Sequence, residues 1–257
     1  MQQYAGFQRV RFFYSYIFIA LIVLSFVPLA YAAQPFEYQW NIVDIVAADA
    51  DFVELRSRNK LLIGKVDASQ MRILYAVKSS IEAVAGLSAE LIITDGKQPN
   101  AFAAKDIHGT NVIGINFAML DIIGLDVHAA AALIGHEIAH LKLNHGEQSA
   151  RNEQTGNVMK IFGGVVLGSL GVEAAGLVSD ISVTAISTKY SRDNETEADY
   201  LGAIWSIEAR YESKGAVRLH QKIYKRSKHH PTPFLSTHPS GPERILKLQQ
   251  LSNRLSY

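Results

Sequence analysis

The sequence predicts a mainly helical α+β domain with one small sheet, and three observations carry that reading. Across residues 67–87 the apolar side chains Met71, Leu74, Val77, Ile81 and Val84 recur at helical spacing. Three short runs at 91–94, 100–104 and 112–116 follow, parted by the turn-rich DGKQP and DIHG, and read as strands. From Asp126 the pattern turns helical again.

The chain has 257 residues, 48% apolar and 19% charged, enough for one sizeable core. It opens as an export signal does: Arg9 and Arg11, an apolar run over 12–27, Pro28, then the small-residue site Ala30-Tyr31-Ala32. Residues 1–32 are therefore expected to be a signal peptide cleaved before Ala33, and 33–257 the functional domain. The run borders on the length of a membrane span, so an uncleaved anchor is the alternative. In either case the arginines stay inside and the rest lies outside the cytoplasm. Beyond residue 32 the 23 Lys and Arg nearly balance the 24 Asp and Glu, which gives nucleic acid no electrostatic footing. The chain has no cysteine, which excludes disulfides and cysteine-linked lipid.

The elements follow in order. After a polar, irregular lead-in, Asp67 or Ser69 caps the first core helix. The three strands are expected to form a small, mostly antiparallel sheet. Asp126 caps a long helix that runs through Ala129, Ala130, Ala131 and Ala132 and is expected to end at His145 and Gly146. Residues 161–186 are rich in Gly, Ala, Val and Leu, but Glu173 and Asp180 interrupt them; a packed helix is expected, with membrane contact as the alternative. Helices at 193–210 and 213–225 precede the loop HHPTPFLSTHP. A last helix opens at Ser240, where Ser-Gly-Pro-Glu forms a capping box with Glu243.

The long helix contains HEIAH, residues 136–140. His136 and His140 stand at i and i+4, so their imidazoles leave one face a turn apart, close enough to share one metal ion. Zinc held by two histidines and a carboxylate keeps a fourth position open and lowers the pKa of water to about 7; the adjacent Glu137 is placed to take the proton. The aliphatic neighbours Leu133, Ile134, Ile138 and Leu141 bury the motif, and burying two histidines and a glutamate without a common partner is expensive. A third ligand is sought in ETEAD, residues 195–199. In a helix starting near Asp193, Glu195 and Asp199 share a face, while Glu197 lies roughly 160° away, where a solvated charge belongs. One carboxylate of the shared face would bind the metal and the other would hold a ligand histidine by its second ring nitrogen.

Together HEIAH, SRDNETEAD and THPSGPER resemble the zinc metallopeptidase family that contains the HtpX-like membrane proteases, the CAAX prenyl proteases and many periplasmic peptidases of Gram-negative bacteria. Asn100-Ala101-Phe102, about 35 residues before HEIAH, also fits that layout, and the resemblance runs from about Ala68 to Leu251. It implies a zincin-like catalytic domain, with the HEIAH helix packed on a helix that carries the acidic ligand and the sheet over the cleft. It also implies one zinc ion held by His136, His140 and Glu195, with Asp199 orienting a ligand histidine and His238 and Arg244 stabilising the oxyanion. The expected protein is a periplasmic zinc endopeptidase acting on protein or peptide substrates, which pair with the strand edge at Asn100, Ala101, Phe102 and Ala103. A metal-binding chaperone or adaptor with little turnover and a membrane-integrated protease are the alternatives. His220, His229 and His230 are expected on the surface, His145 as a cation at the helix C-terminus, and His128 without an assigned role.

Overall fold

The computed structural model describes residues 37–57, 59–106, 108–154, 190–227, 233–239 and 241–255. The expectations for residues 1–32, for 161–186, for His229 and His230, and for the Ser240 cap lie outside these residues.

The polar lead-in is structured after all. Strand β1 (Gln39–Asn41) runs straight into helix α1 (Ile42–Val46), whose first turn is capped by the Asn41 side chain. A hairpin of β2 (Phe52–Arg56) and β3 (Leu62–Asp67) follows. In β2, Val53 and Leu55 are buried and Phe52, Glu54 and Arg56 exposed, the alternation of a one-faced strand.

Asp67 caps α2 (Ala68–Ala85) by accepting from the Ser69 and Gln70 amides, and Gly86, at φ 62°, closes the helix in the left-handed region. Of the periodic set read from the sequence, Met71, Leu74, Val77 and Ile81 are buried and Val84 is half-buried. Strands β4 (Glu90–Thr94), β5 (Ala101–Lys105) and β6 (Asn111–Asn116) join β1 in a sheet of order β1-β4-β6-β5. Of the three expected strands, β5 and β6 pair antiparallel, as expected, but β4 and β6 run parallel at the centre, and the unexpected β1 joins β4 antiparallel. The chain leaving β4 crosses past β6 to reach the edge before the β5–β6 hairpin returns it. Asp106 shapes that hairpin by accepting from the His108 and Thr110 amides at 2.8 and 2.7 Å.

Asn116 caps a short helix α3 (Phe117–Ile123), and Asp126 caps α4 (Val127–Lys142) through the Ala129 amide at 3.0 Å. Every residue of α4 from Ala129 to Leu141 is buried, so this helix is the axis of the core, packed against α2 and against two later helices. It stops at Lys142, short of the expected His145 and Gly146. Asn144 takes a left-handed φ of 53°, a conformation asparagine tolerates, and His145 instead begins α5 (His145–Gln154).

The later helices packed on α4 are α6 (Arg192–Glu208) and α7 (Lys214–Ser227). Ser191 caps α6 with Asn194 in a reciprocal capping box. Part of the expected loop is the short helix α8 (Pro233–Thr237), and α9 (Pro242–Leu255) ends the described chain. Both begin with proline, whose missing amide is no loss at a first helical position.

Candidate metal centre

Helix α4 presents His136 and His140 with their Nε2 atoms 3.0 Å apart. From α6, Glu195 brings Oε1 to 3.4 Å from His140 Nε2 and Oε2 to 3.7 Å from His136 Nε2. The turn after α8 adds His238, whose Nδ1 lies 3.2 Å from His136 Nε2 and 3.0 Å from Glu195 Oε1. All four side chains are buried, and their ligand atoms lie within 4.8 Å of one another. Four ligands at about 2.0–2.1 Å from a tetrahedral zinc ion stand roughly 3.3 Å apart, so this donor set fits one.

The charges around these atoms explain how they are held. Asp199 Oδ1 is 3.1 Å from His136 Nδ1, on the side of the ring away from the cluster. Arg244 donates from Nε and Nη2 to Asp199 at 2.9 and 2.7 Å, and from Nη1 to Glu195 and to the Pro239 carbonyl. Burial alone would raise both carboxyl pKa values; for Glu195 the histidines His238, His140 and His136 more than reverse it, and for Asp199 Arg244 and His136 do, so both sit well below the usual range. Burial pulls His136 down, but Asp199 and Glu195 outweigh it and raise the ring, while burial and the charge of His136 hold His140 well below normal.

Two roles expected from the sequence change here. Arg244 was placed at the oxyanion; instead its guanidinium is buried and engaged with two carboxylates that need a counter-charge. His238 was placed there too, but its Nδ1 stands among the ligand atoms. Its Nε2, which has no hydrogen-bond partner among the described residues, lies 3.7 Å from Glu137 Oε1.

Glu137 is 0% exposed, and neither carboxylate oxygen has a hydrogen-bond partner among the described residues. Burial pushes its pKa up. The strand expected to meet substrate, Asn100 to Ala103, leads into and forms the start of β5, the edge strand of the sheet. Pro99, just before it, accepts from the Phe234 amide at 3.3 Å, and the Phe234 ring stacks on His238 at 4.5 Å, so the strand and the His238 turn are tied together.

Several site residues escaped the sequence reading. Tyr190 stacks flat on His140, with centroids 3.7 Å apart, and burial together with the charges of Glu137 and Glu195 raises its phenol. His145 is no helix-end cation: it is 1% exposed, burial lowers its pKa, and its Nδ1 lies 2.9 Å from His140 Nδ1. His220, expected at the surface, is buried on α7, and burial followed by the Arg244 charge takes it down to about 3. His128 acquires a role, its Nδ1 accepting from the Glu212 amide at 3.0 Å just ahead of α7. Glu197 is exposed, as expected, yet its Oε2 reaches to 3.4 Å from His145 Nε2. The helical phase that separates Glu197 from Glu195 was legible; the partner waiting on α5 was not.

Comparison with known proteins bears on the same span. The model of peptidase family M48 matches residues 69–252. The chain is 28% identical over 177 residues to the mitochondrial metalloendopeptidase OMA1 of Arabidopsis thaliana, covering 68% of this chain and 33% of that protein. It is 27% identical over 180 residues to the protein of the same name from Schizosaccharomyces pombe, covering 68% and 50%. The matched region thus spans a third to a half of these relatives.

Proposed function

Because the chain belongs to peptidase family M48, we propose that it is a zinc-dependent endopeptidase hydrolysing peptide bonds of exported or misfolded envelope proteins. Glu137 is the observation that carries the reading. A carboxylate taken out of water without a hydrogen-bond partner is costly to keep ionised, yet this one is fully buried beside four converging ligand atoms. A group in that setting has a raised pKa and suits a residue that must accept a proton and then return it.

His136, His140 and Glu195 would hold the zinc, and His238, whose Nδ1 stands where a fourth ligand would bind, would have to yield that position to water and the scissile carbonyl. When bound, the ion supplies Lewis acidity, polarising the scissile carbonyl and making water acidic enough to lose a proton near neutral pH. Glu137 takes that proton and delivers it to the leaving amine nitrogen. Asp199, 3.1 Å from His136 Nδ1, favours a proton on that nitrogen and so leaves Nε2 to face the metal. Arg244 fixes Glu195 and Asp199 relative to each other and offsets part of their charge. An extended substrate would add to the edge of β5, which pairs only with β6 among the described residues, where backbone pairing accepts many sequences.

We place the protein in the periplasm, released or anchored by residues 1–32. The support is the pair of arginines, the apolar run and the small-residue site of that segment, together with the likeness of HEIAH, SRDNETEAD and THPSGPER to the periplasmic and HtpX-like peptidases. No helix among the described residues is long and apolar enough to cross a membrane.

The test is cleavage of unfolded casein by the purified full-length chain, with zinc measured alongside. Cleavage that a chelator abolishes and zinc restores supports the reading. A zinc-loaded, folded protein that leaves casein intact contradicts it and favours a metal-binding chaperone or adaptor. Carbonate extraction of membranes separates a released from an anchored protein.

A further inference from the structure

We propose that His145 and Glu197 are positioning residues for the ligand His140, a chain of two side chains that fixes which ring nitrogen of His140 faces the metal; the proposal rests on the zinc-site reading above. His140 Nε2 points into the ligand cluster, 3.0 Å from His136 Nε2 and 3.4 Å from Glu195 Oε1. Its Nδ1 points the opposite way, 2.9 Å from His145 Nδ1.

Two ring nitrogens at that distance form a hydrogen bond only if one carries the proton and the other a lone pair. For Nε2 to offer its lone pair to a metal, the proton of neutral His140 must sit on Nδ1. His145 Nδ1 is then the acceptor, and the His145 proton is on Nε2. That nitrogen makes no hydrogen bond among the described residues, but it lies 3.4 Å from Glu197 Oε2, whose negative charge favours a proton there. Every proton along Glu197, His145 and His140 is thereby assigned, and the assignment ends with a lone pair on the atom that faces the cluster.

The fold supports this arrangement from several sides. His145 is 1% exposed, so water does not compete for its Nδ1. The left-handed turn at Asn144 swings His145 back beneath the helix that carries His140. Tyr190 covers the face of the His140 ring at 3.7 Å and 16°, which restricts its tilt. The two histidine ligands therefore have different neighbours: His136 Nδ1 faces the Asp199 carboxylate at 3.1 Å, and His140 Nδ1 bonds the His145 imidazole, whose far nitrogen faces Glu197 at 3.4 Å. Glu197 is 57% exposed, so solvent screens its pull and its share is the smaller.

The test is zinc retention by the full-length protein under a graded chelator, read beside the visible absorption of its cobalt-substituted form. His145→Asn keeps an acceptor oxygen near the position of Nδ1; His145→Gln is of similar bulk but carries its polar group out toward Nε2. His145→Ala and His145→Gln are expected to lose zinc affinity by about 10- to 100-fold, the usual effect of removing a group that orients a ligand. They should also shift the cobalt spectrum. His145→Asn should stay within about threefold of wild type with an unchanged spectrum, and Glu197→Ala should lose no more than about tenfold. If His145→Ala fails to fold, the Asn and Gln pair still decides. Equal zinc affinity in Asn and Gln, or a wild-type spectrum in Gln, overturns the proposal while leaving the zinc site standing. A wild-type protein that takes up no zinc overturns the site reading itself.

Discussion

Gly135 of α4 and Gly202 of α6 meet backbone to backbone: a Cβ at Gly202 would stand 2.8 Å from the His136 nitrogen, and one at Gly135 would stand 3.0 Å from Gly202 Cα. Glu195, Asp199 and Gly202 are spaced i, i+4 and i+7, so they share one face of α6. The contact draws that face onto α4 at the residue before the first ligand histidine, and this brings two carboxylates within reach of His136. Close helix approach is thus part of how the site is assembled.

Gly202→Ala sets two effects against each other. Alanine is favoured over glycine in a helix interior by about 1 kcal/mol, but the added methyl meets backbone that has no side-chain freedom to yield, and overpacking of this kind costs about 1–3 kcal/mol. The steric term wins: the denaturation midpoint should fall and zinc retention should fall with it. A rise in stability would mean that the helices separate without strain.

Arg244→Ala should behave as the loss of a structural counter-ion. It leaves Glu195 and Asp199 buried without their guanidinium, and breaking a buried pair in this way costs about 3–5 kcal/mol. Arg244→Lys should rescue little, because an ammonium does not span two carboxylates as the fork does. Urea unfolding of the metal-free protein and zinc content check this. Wild-type stability and zinc content with only a lower kcat would return Arg244 to the oxyanion.

Asp126 gives a pH dependence whose sign is set by its surroundings. The Arg218 guanidinium at 2.9 Å and the Ala129 amide take its pKa down to about 2 from the usual 3.8. A depressed folded-state value means that the stabilisation is complete above pH ~4 and is lost as pH falls toward ~2. Asp126→Asn keeps a capping acceptor but no charge, so at pH 7 it should be about 1 kcal/mol less stable. The gap should narrow between pH 4 and pH 3 in urea unfolding. A constant gap would show that the ion pair contributes nothing.

What the sequence disclosed was what depends on local pattern. The stripe Met71, Leu74, Val77 and Ile81, the Asp126 cap, the shared face of His136 and His140, and the phase that divides Glu195 and Asp199 from Glu197 follow from 3.6-residue periodicity, and the structure places them accordingly. The alternation in Phe52-Val53-Glu54-Leu55-Arg56 was equally local and marks a strand that was passed over. What stayed hidden depends on contacts far apart in the chain. Arg244 lies 45 residues from Asp199, and no pattern near either reveals that the guanidinium faces carboxylates rather than substrate. His145 lies only five residues from His140, but its role hangs on one left-handed asparagine that turns the chain back. The parallel β4–β6 pair likewise follows from where the connection crosses, which strand-by-strand reading does not show.

The most direct test of the account is Glu137→Gln beside wild type, with zinc content and casein hydrolysis measured on the same full-length preparations. The exchange keeps shape and buried volume but removes the carboxylate that takes and returns the proton. Both proteins should hold about one zinc per chain, and hydrolysis should be lowered by roughly 10²- to 10⁴-fold in the variant, the contribution of a positioned general base. Casein cleavage at the wild-type rate by a zinc-loaded Glu137→Gln protein would contradict it.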